Sequence, residues 1–395
     1  MLVAGPIGLV VLQSTGFCNI DCAYCYLPDR ANPRQTMELS TVAEVARLIF
    51  DPPLLKDDLD IVWHAGEPLT LPPSYYGQAI EIIERQRPRD VTIHYGIQTN
   101  GTLIDDAWIN LFKQHKVTVG ISLDGPRDLH DRNRKFRNGS GSHDRATAGI
   151  AKLQARGYPF HFIGVVTEPS LSRGSELLDY YQRFGPTAIG LNIEELEAQN
   201  THSSLYENCD RTTFERFIGE VLLKAARPSD TPIVLRDFQR TISSLVAGTP
   251  EDNDQVIPLR ILNIAHNGDI STFSPELLAL KAKERQRFIF GNVHRCQGLR
   301  DIFCNDRFIS AYREIRHGVE NCANECEYFQ YCGGGAPVNK LSEKGSLEAT
   351  ETTYCAFTKK AWVDVCLRFA NAPNNAFELH SGTGDDDDGF ASDAS

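Results

Sequence analysis

The sequence lacks the features of a membrane protein and of a secreted protein. No apolar run reaches about 20 residues, the length that a membrane-spanning helix needs, in any part of its 395 residues. The opening MLVAGPIGLVVLQ has neither the basic region nor the small-residue cleavage site of a secretory signal. A formal net charge of −12 argues against nucleic acid as a partner. We therefore expect a cytoplasmic protein that acts without a membrane or a nucleic acid.

The sequence also lacks the even spread of cysteines that a disulfide framework needs. Three of the eleven cysteines lie near the start and seven lie after residue 290, and an odd total cannot pair completely. In a long chain without a signal, cysteines grouped in this way indicate metal ligation.

The sequence does contain a repeated alternation of strand-like and helical patterns. Between residues 8 and 195, helical patterns separate six strand-like runs, which are GLVVLQ, DIVWHAG, VTIHYGIQ, VTVGISL, FHFIGVVT and AIGLNIEEL. These six β/α repeats predict an α/β fold with a parallel sheet covered by helices. Ligands gather at the carboxyl ends of the strands in such folds, so polar motifs that directly follow a strand are candidates for the site.

Four regions follow one another along the chain. Residues 1–200 hold the β/α repeats, and residues 201–255 are predicted to form a helical bridge. Residues 256–370 combine a hairpin around Asn267-Gly268 with a cysteine-dense segment whose order is expected to depend on a metal cluster. Residues 371–395, rich in aspartate, are predicted to form a disordered acidic tail.

Three cysteines follow the first strand within eight residues. Cys18, Cys22 and Cys25 have the spacing CxxxCxxC, which lets one loop hold three corners of a [4Fe-4S] cluster. The fourth iron then has no protein ligand and is open to the amino and carboxylate groups of S-adenosylmethionine (SAM). One electron from the cluster can cleave SAM to a 5′-deoxyadenosyl radical. A three-cysteine zinc site and a set of reactive thiols are the alternatives for this spacing.

Further motifs, in matching order and spacing, resemble those of the radical SAM superfamily across residues 8 to 195. The run HAGEP at 64–68 follows the second strand and is similar to the family's GGEP motif, with Ala65 in place of the first glycine. The resemblance implies a partial (β/α)6 barrel in which Glu67 accepts a hydrogen bond from the SAM ammonium. Gly66 would let the backbone approach the ligand. A turn with a solvated glutamate is the alternative.

Two more motifs, QTNG and SLDG, follow the third and fourth strands. The resemblance implies that Asn100 and Ser122 bind the ribose and the carboxylate of SAM. Arg134 would pair with the same carboxylate, because a guanidinium can bind it through two N–H groups. Arg132 and Arg145 are competitors for this role.

The same resemblance predicts two residues that pack on the adenine ring of SAM. Tyr24 stands directly before the third cysteine of the loop, and Val165 stands in the run FIGVVT. Either residue alone is more typical of a simple core position, so its assignment depends on the motifs around it.

The cysteine-dense segment resembles the SPASM extension of peptide-modifying radical SAM enzymes. Cys322, Cys326 and Cys332 lie close together, a triple glycine begins directly after Cys332, and Cys355 follows later. The resemblance implies that these four thiolates bind an auxiliary [4Fe-4S] cluster. A zinc ribbon is the alternative for the same spacing.

This segment departs from a full SPASM domain in one consistent way. The family's second auxiliary cluster uses cysteines from the hairpin and a cysteine four residues after Cys332, where Ala336 stands here. No cysteine occurs between residues 210 and 295. We therefore predict one auxiliary cluster. Four cysteines remain unassigned, and a buried inert thiol is the default for each, although Cys296 and Cys304 are candidates for a further site: Cys209, Cys296, Cys304 and Cys366.

The run CGGGAPVNKLSEKGS and the later Tyr354-Cys355 look most like maturases that form cyclophanes in glycine-rich-repeat precursor peptides. This resemblance implies that the deoxyadenosyl radical abstracts a β-hydrogen and that the carbon radical attacks an aromatic ring. An electron then passes to the auxiliary cluster and a proton to a base, for which Asp269 is the candidate and His266 its neighbour. The implied partners are a precursor peptide and a low-potential donor of the flavodoxin or ferredoxin type.

Three other functions stay open at this point. Formylglycine formation on a sulfatase is disfavoured because Ser274 stands where that family places an acidic residue. Thioether formation removes the same two hydrogens from a peptide. A zinc-binding or redox scaffold would have no need of the SAM motifs. Because the first strand begins by about residue 8, we also expect no winged leader-binding domain before it.

Overall fold

The protein is described from a computed structural model over residues 4–28, 30–32, 35–50, 55–227, 232–247 and 252–371. The predicted acidic tail lies outside the described residues from position 372 onward.

Within these described residues, nine strands form one mixed sheet. Its order is β6-β5-β4-β3-β2-β1-β7-β8-β9, and β1 to β6 are parallel to their neighbours. The strands are β1 (Ile7–Leu12), β2 (Leu55–Trp63), β3 (Thr92–Thr99), β4 (Thr118–Ser122), β5 (His161–Val166), β6 (Ile189–Ile193), β7 (Ile261–Ile264), β8 (Asp269–Thr272) and β9 (Gly291–Asn292). The predicted α/β fold with six sequential parallel strands, an open barrel wall, is confirmed.

Helices cover the sheet and build the remainder of the chain. They are α1 (Leu39–Ile49), α2 (Pro73–Gln86), α3 (Asp106–His115), α4 (Arg127–Asn133), α5 (His143–Ala155), α6 (Gly174–Gln182), α7 (Ser204–Asn208), α8 (Arg211–Ala225), α9 (Arg236–Ala247), α10 (Ala282–Arg285), α11 (Arg300–Phe303), α12 (Asp306–Glu325), α13 (Phe329–Cys332), α14 (Pro337–Lys344), α15 (Thr353–Cys355) and α16 (Trp362–Asn371). Among the described residues, no helix is long and apolar enough to cross a membrane.

The barrel helices form because their apolar residues recur at helical spacing and face the sheet. In α1, for example, Val42, Val45 and Ile49 are fully buried. Helix α3 begins at a polar cap, since the carboxylate of Asp105 accepts a hydrogen bond from the Trp108 backbone N–H at 3.0 Å. These contacts fix the strand ends, and therefore the site, on a packed core.

The C-terminal half is attached to this barrel at two places. Strand β7 pairs in parallel with β1, with Val10 opposite Leu262, and β7 and β8 form the predicted hairpin. Helix α16 packs against α8 and α9 of the predicted bridge. The sheet therefore continues across residue 256, where the sequence suggested a boundary, and the domain limits stay a prediction.

Candidate active site

The three-cysteine loop lies at the carboxyl end of β1 and lines a cavity of about 350 Å³. Cys18 and Cys22 are buried and Cys25 is half-buried. Burial raises the pKa of Cys18, and it raises the pKa of Cys22 to about 12. Thiols in such a place become thiolates only when a metal centre displaces their protons.

Arginines and an asparagine hold this loop through its backbone and sulfur atoms. Arg137 donates from Nε to the Cys18 carbonyl at 3.0 Å, and Arg30 donates to the Cys22 carbonyl at 2.9 Å. The Asn100 amide donates to Asn19 Oδ1 at 2.8 Å and lies 3.9 Å from Cys18 Sγ. Contacts within the chain thus hold the loop in place.

The three cysteines of the loop surround one space. Across the described residues, no three histidine, cysteine, aspartate or glutamate side chains converge closely enough to hold a single metal ion. Cys25 raises the pKa of both Cys18 and Cys22, and the three cysteines line the same cavity. Three thiols spaced around one space, with N–H donors to their backbone, suit the [4Fe-4S] cluster predicted from their spacing.

Backbone crowding in the HAGEP turn requires a glycine at position 66. Gly66 has a φ of +60°, and a Cβ there would lie 2.5 Å from the Thr15 carbonyl oxygen and 2.6 Å from that of Phe17. The glycine therefore lets β2 approach the chain that leads into the cysteine loop, whereas the sequence suggested an approach to the ligand. Ala65 also has a positive φ of 75° although it has a side chain.

Glu67 lines the cavity and ties neighbouring strand ends together. Its carboxylate accepts hydrogen bonds from Leu69 N at 2.9 Å, Thr99 Oγ1 at 2.7 Å and Asn100 N at 2.7 Å. Burial raises the pKa of Glu67 to about 7, against the lowering effect of these three donors. The predicted contact with the SAM ammonium would add one more donor to this carboxylate.

Asn100 and Ser122 both reach the cavity, and each already has protein partners. Asn100 Oδ1 accepts from the Thr102 N–H at 3.0 Å, while its amide holds the cysteine loop. Ser122 Oγ accepts from Gln98 Nε2 at 2.9 Å. Their predicted contacts with SAM stay predictions, and positioning of the loop is the role that the contacts show for Asn100.

Arg134, Tyr24 and Val165 meet at one buried carboxylate, Asp124. Arg134 Nε lies 2.9 Å from Asp124 Oδ2, the Tyr24 hydroxyl donates to the same oxygen, and the Val165 N–H donates to Oδ1 at 3.0 Å. The Arg134 guanidinium also lies 5.5 Å from the centre of the Tyr24 ring. Asp124, in the SLDG motif, is a site residue that the sequence analysis did not single out.

The three arginine candidates differ in their position relative to the cavity. Arg134 lines the cavity, whereas Arg132 and Arg145 are exposed and lie outside it. Because Arg134 is already paired with Asp124, a SAM carboxylate would have to share its guanidinium with that carboxylate.

Three glutamates line the same cavity, and of these Glu197 is buried while Glu195 and Glu276 are half-buried. Glu195 and Glu197 follow β6, and Glu276 lies just after the hairpin. Burial raises the pKa of all three, and the Glu276 carboxylate raises those of Glu195 and Glu197 further. The sequence analysis missed this set. Glu195 and Glu197 directly follow a predicted strand, as the recognised motifs do, but no local signal marks Glu276.

A second chamber of about 290 Å³ lies next to the first, between β6, α9 and α16. Glu195 and Tyr354 line both spaces. Ser244 on α9 lines the second chamber, is 6% exposed, and has a hydroxyl without a hydrogen-bond partner. The second chamber thus lies beside the first and contains a buried hydroxyl that can still form a hydrogen bond.

The four predicted auxiliary cysteines lie at or near the ends of three helices. Cys322 lies in the last turn of α12, Cys326 directly follows that helix, and Cys332 and Cys355 end α13 and α15. Burial raises the pKa of Cys322, and the Cys332 and Cys326 thiols raise it further. The Thr352 backbone N–H donates to Cys355 Sγ at 3.3 Å.

Lys360 interacts with both Cys326 and Cys355 of this set. Burial lowers the pKa of Lys360, but Glu351 and the Cys326 and Cys355 thiols raise it overall. The four cysteines therefore share one region, with N–H and ammonium donors directed at them, which suits thiolate ligation of a cluster.

The other cysteines differ in environment. All eleven are free thiols. Cys296 and Cys366 are buried in the core, as expected by default, and Cys209 is half-buried. Cys304 is exposed, so the expectation of burial is wrong for this residue.

Asp269 does not reach the cavity that holds the other predicted site residues. Its carboxylate accepts hydrogen bonds from Asn267 Nδ2 at 2.8 Å and Asn292 Nδ2 at 3.1 Å, as is typical of a turn residue. Together with His266 it lines a separate space of about 230 Å³. The geometry thus gives no support to Asp269 as the base, and the glutamates face the cavity instead.

Comparison with known proteins gives one family. The family model described as Radical SAM superfamily matches residues 12–180. A protein of Synechocystis sp., described as uncharacterized, is 38% identical over 372 residues, which cover 92% of each chain. The serine-type anaerobic sulfatase-maturating enzyme of Klebsiella aerogenes is 34% identical over 163 residues, which cover 41% of this chain and 40% of that enzyme.

Solved structures share the fold over nearly the whole chain. The structure of anSMEcpe with bound AdoMet has a TM-score of 0.74 at 18% identity and covers 93% of this chain and 100% of that one. Streptococcus suis SuiB bound to the precursor peptide SuiA has a TM-score of 0.63 at 18% identity, with 90% and 76% covered. The fold likeness therefore extends from the barrel through the C-terminal half.

Proposed function

The chain belongs to the radical SAM superfamily, and from that premise we propose that it matures a ribosomally synthesised peptide by forming a cyclophane crosslink. The reaction joins a β-carbon of one residue to a ring carbon of an aromatic residue, and the peptide loses two hydrogens. SAM and a [4Fe-4S] cluster at the SAM site are its cofactors. The proposed ligands are Cys18, Cys22 and Cys25 for this cluster, and Cys322, Cys326, Cys332 and Cys355 for one auxiliary [4Fe-4S] cluster.

The observation that carries this proposal is the shared cavity. It brings the cysteine loop and the motif residues together with three glutamate carboxylates. Loss of a ring proton requires an acceptor close to the substrate, and a base works best when its pKa lies near the working pH. Burial raises the pKa of Glu276 toward that range. We assign the proton acceptor to a Glu276 carboxylate oxygen.

When bound, SAM and its cluster supply the 5′-deoxyadenosyl radical that removes the β-hydrogen. The chain's own residues position what reacts. Glu67 holds the SAM ammonium, while Asp124 fixes Tyr24 and the Val165 backbone at the cavity wall. Asn339 donates to Glu195 Oε2 at 2.7 Å, so that this carboxylate is held in place.

The remaining partners follow from the same proposal. The precursor peptide reaches the cavity through the second chamber, past Tyr354, where the Ser244 hydroxyl can bond its backbone. A low-potential flavodoxin- or ferredoxin-type protein supplies electrons, and the reaction takes place in the cytoplasm.

Anaerobic coexpression with small neighbouring reading frames tests the reaction. The proposal expects a product two hydrogens lighter than its precursor, with a ring-carbon to β-carbon bond by fragmentation and NMR, together with release of deoxyadenosine. Glu276→Gln should reduce crosslinking by about 10²- to 10⁴-fold while deoxyadenosine release continues, because hydrogen abstraction precedes proton loss.

Glu284→Gln, at an exposed position on α10, is the matched control and should behave as the wild type. Full crosslinking by Glu276→Gln would remove Glu276 from the mechanism. A thiol lost from the product, with a sulfur-to-carbon bond, would replace the cyclophane assignment by thioether formation.

Formylglycine formation on a sulfatase is the second candidate, and one observation favours it. Ser274 is buried, with its hydroxyl 3.1 Å from Gln255 Oε1, but Glu276 two residues later lines the cavity. The acidic group that the sequence lacked at 274 is therefore present nearby. The Klebsiella relative is a sulfatase-maturating enzyme, and its match covers less than half of either chain. A hydrazide probe for an aldehyde on sulfatase peptides separates the two functions.

A further inference from the structure

We propose that Lys340 is a positioning residue for the auxiliary cluster. The buried ammonium of Lys340 raises the reduction potential of this cluster, which Cys322 and its neighbours bind. The inference rests on the auxiliary cluster of the proposed function. It adds a role for a residue outside the cysteine set, namely to make that cluster a better electron acceptor.

Lys340 is an unusual lysine because its charge is inside the protein. The side chain, on α14, is 4% exposed. Its Nζ donates to Cys322 Sγ at 3.3 Å and to the Gly318 carbonyl oxygen at 2.9 Å. Within the described part of the chain, Lys340 forms no salt bridge with a carboxylate, so the thiol sulfur is its one potential anionic partner.

Helix α12 has a gap where this ammonium enters. A Cβ at Gly318 would lie 3.1 Å from Lys340 Nζ and 2.2 Å from the Leu347 carbonyl oxygen. Only a glycine at this helical position lets both the lysine and the loop after α14 come so close. The contact between Lys340 and Cys322 is therefore built into the packing of two helices and a loop.

A buried ammonium is costly unless an opposite charge compensates it. Four thiolates on a cluster carry that charge, and reduction adds one more electron to it. Because attraction in a low-dielectric interior is strong, Lys340 stabilises the reduced cluster more than the oxidised one. Net charge and hydrogen bonds to the sulfurs are among the properties that set the potential of such clusters.

Lys360 is less suited to this effect, since it is more exposed and pairs with Glu351 at 3.0 Å. In the crosslinking reaction, the substrate radical would lose one electron, the auxiliary cluster would gain it, and the ring proton would pass to Glu276. The reduced cluster would return that electron to the oxidised SAM-site cluster. Lys340 favours the electron transfer from the substrate radical to the auxiliary cluster.

The test measures a potential and needs no peptide. In the full chain with Cys18, Cys22 and Cys25 changed to Ala, only the auxiliary cluster remains, and its midpoint is followed by EPR in a redox titration. At a fixed solution potential, Lys340→Met should lower the ratio of reduced to oxidised cluster about tenfold. This corresponds to a midpoint potential lower by about 59 mV for one electron. Lys340→Arg should restore most of the ratio, and Lys344→Met, exposed on the same helix, should not change it.

An unchanged midpoint in Lys340→Met with a full complement of iron would overturn the proposal. If that variant loses its iron, Lys340→Gln is titrated in its place, since it keeps a neutral N–H donor. Loss of iron from both variants would show a purely structural role and also contradict the proposal. A parent protein that binds no iron would instead refute the auxiliary cluster itself.

Discussion

At the scale of single residues, the HAGEP turn shows how backbone geometry and ligand chemistry are combined. Gly66 is held between two carbonyl oxygens of the segment that leads to Cys18, and Glu67 directly follows it. A motif that the sequence identifies by its carboxylate is thus also the place where the chain after β2 contacts the segment that leads into the cysteine loop.

The first prediction concerns this glycine. Gly66→Ala would place a methyl group within 2.6 Å of both the Thr15 and the Phe17 carbonyl oxygen, in addition to the strain of a positive φ. Gly157→Ala is the matched control, because Gly157 has a φ of +59° with no atom within 4 Å of its Cβ position. We expect the control to lose about 1 kcal/mol in urea unfolding. Gly66→Ala should lose at least about 3 kcal/mol and bind less iron, and equal losses would contradict the crowding argument.

The second prediction concerns the ionisation of Glu67. Its pKa, raised by burial to about 7 from 4.5, leaves the carboxyl largely protonated at pH 6 and ionised at pH 8. Since only the carboxylate can hold an ammonium, SAM should bind about tenfold more weakly at pH 6 than at pH 8. The raised pKa also means that the free energy of unfolding without SAM falls as pH rises from 4.5 to 7.

Anaerobic equilibrium dialysis of SAM across this pH range checks the prediction. Glu67→Gln should bind SAM weakly and without this pH dependence. Glu81→Gln, exposed on α2, should keep the wild-type profile. A profile that stays steep in Glu67→Gln would assign the titration to another group.

At the scale of elements, the strands were predictable and their partners in the C-terminal half were not. Alternation of apolar runs and helical patterns is local, so it revealed β1 to β6 and their parallel order. The parallel pairing of β1 with β7 joins Leu9 to Ile261, and no local pattern records so distant a contact. For the same reason the sequence did not place Glu276 in the site, whereas the cysteine spacing, being local, did indicate a cluster loop.

The third prediction concerns Asn263 in strand β7. Asn263 is fully buried, its Oδ1 has no hydrogen-bond partner, and its Nδ2 has one long contact of 3.5 Å with the Phe273 carbonyl oxygen. Asn263→Leu, of similar volume, removes the unsatisfied carbonyl and should raise the free energy of unfolding by about 1 kcal/mol. Asn263→Asp, which places a charge there, should lower it by several kcal/mol. Urea unfolding measures both, and a destabilised leucine variant would indicate that the amide is needed.

At the scale of the whole molecule, the barrel and the C-terminal half both contribute residues to one cavity. The cysteine loop lies at one wall of the first cavity, and Tyr354, next to Cys355, lies at another. Because β7 extends the barrel sheet and α16 returns to α8 and α9, this arrangement is fixed by the fold. Under the proposed function, a substrate in this cavity would lie between the radical source at the cysteine loop and the electron acceptor near Cys355.

The last prediction separates these two roles by removing metal. The full chain should bind about eight iron atoms, four at each cluster. A variant with Cys322, Cys326, Cys332 and Cys355 changed to Ala should keep about four and still release deoxyadenosine from SAM, because the cavity motifs are intact. It should form no crosslink, since the substrate radical then has no acceptor for its electron. The exposed Cys304→Ala is the control and should keep both clusters. Twelve iron atoms in the wild type would mean that Cys296 and Cys304 build a further site, and crosslinking by the four-cysteine variant would show that the electron leaves by a route other than the auxiliary cluster.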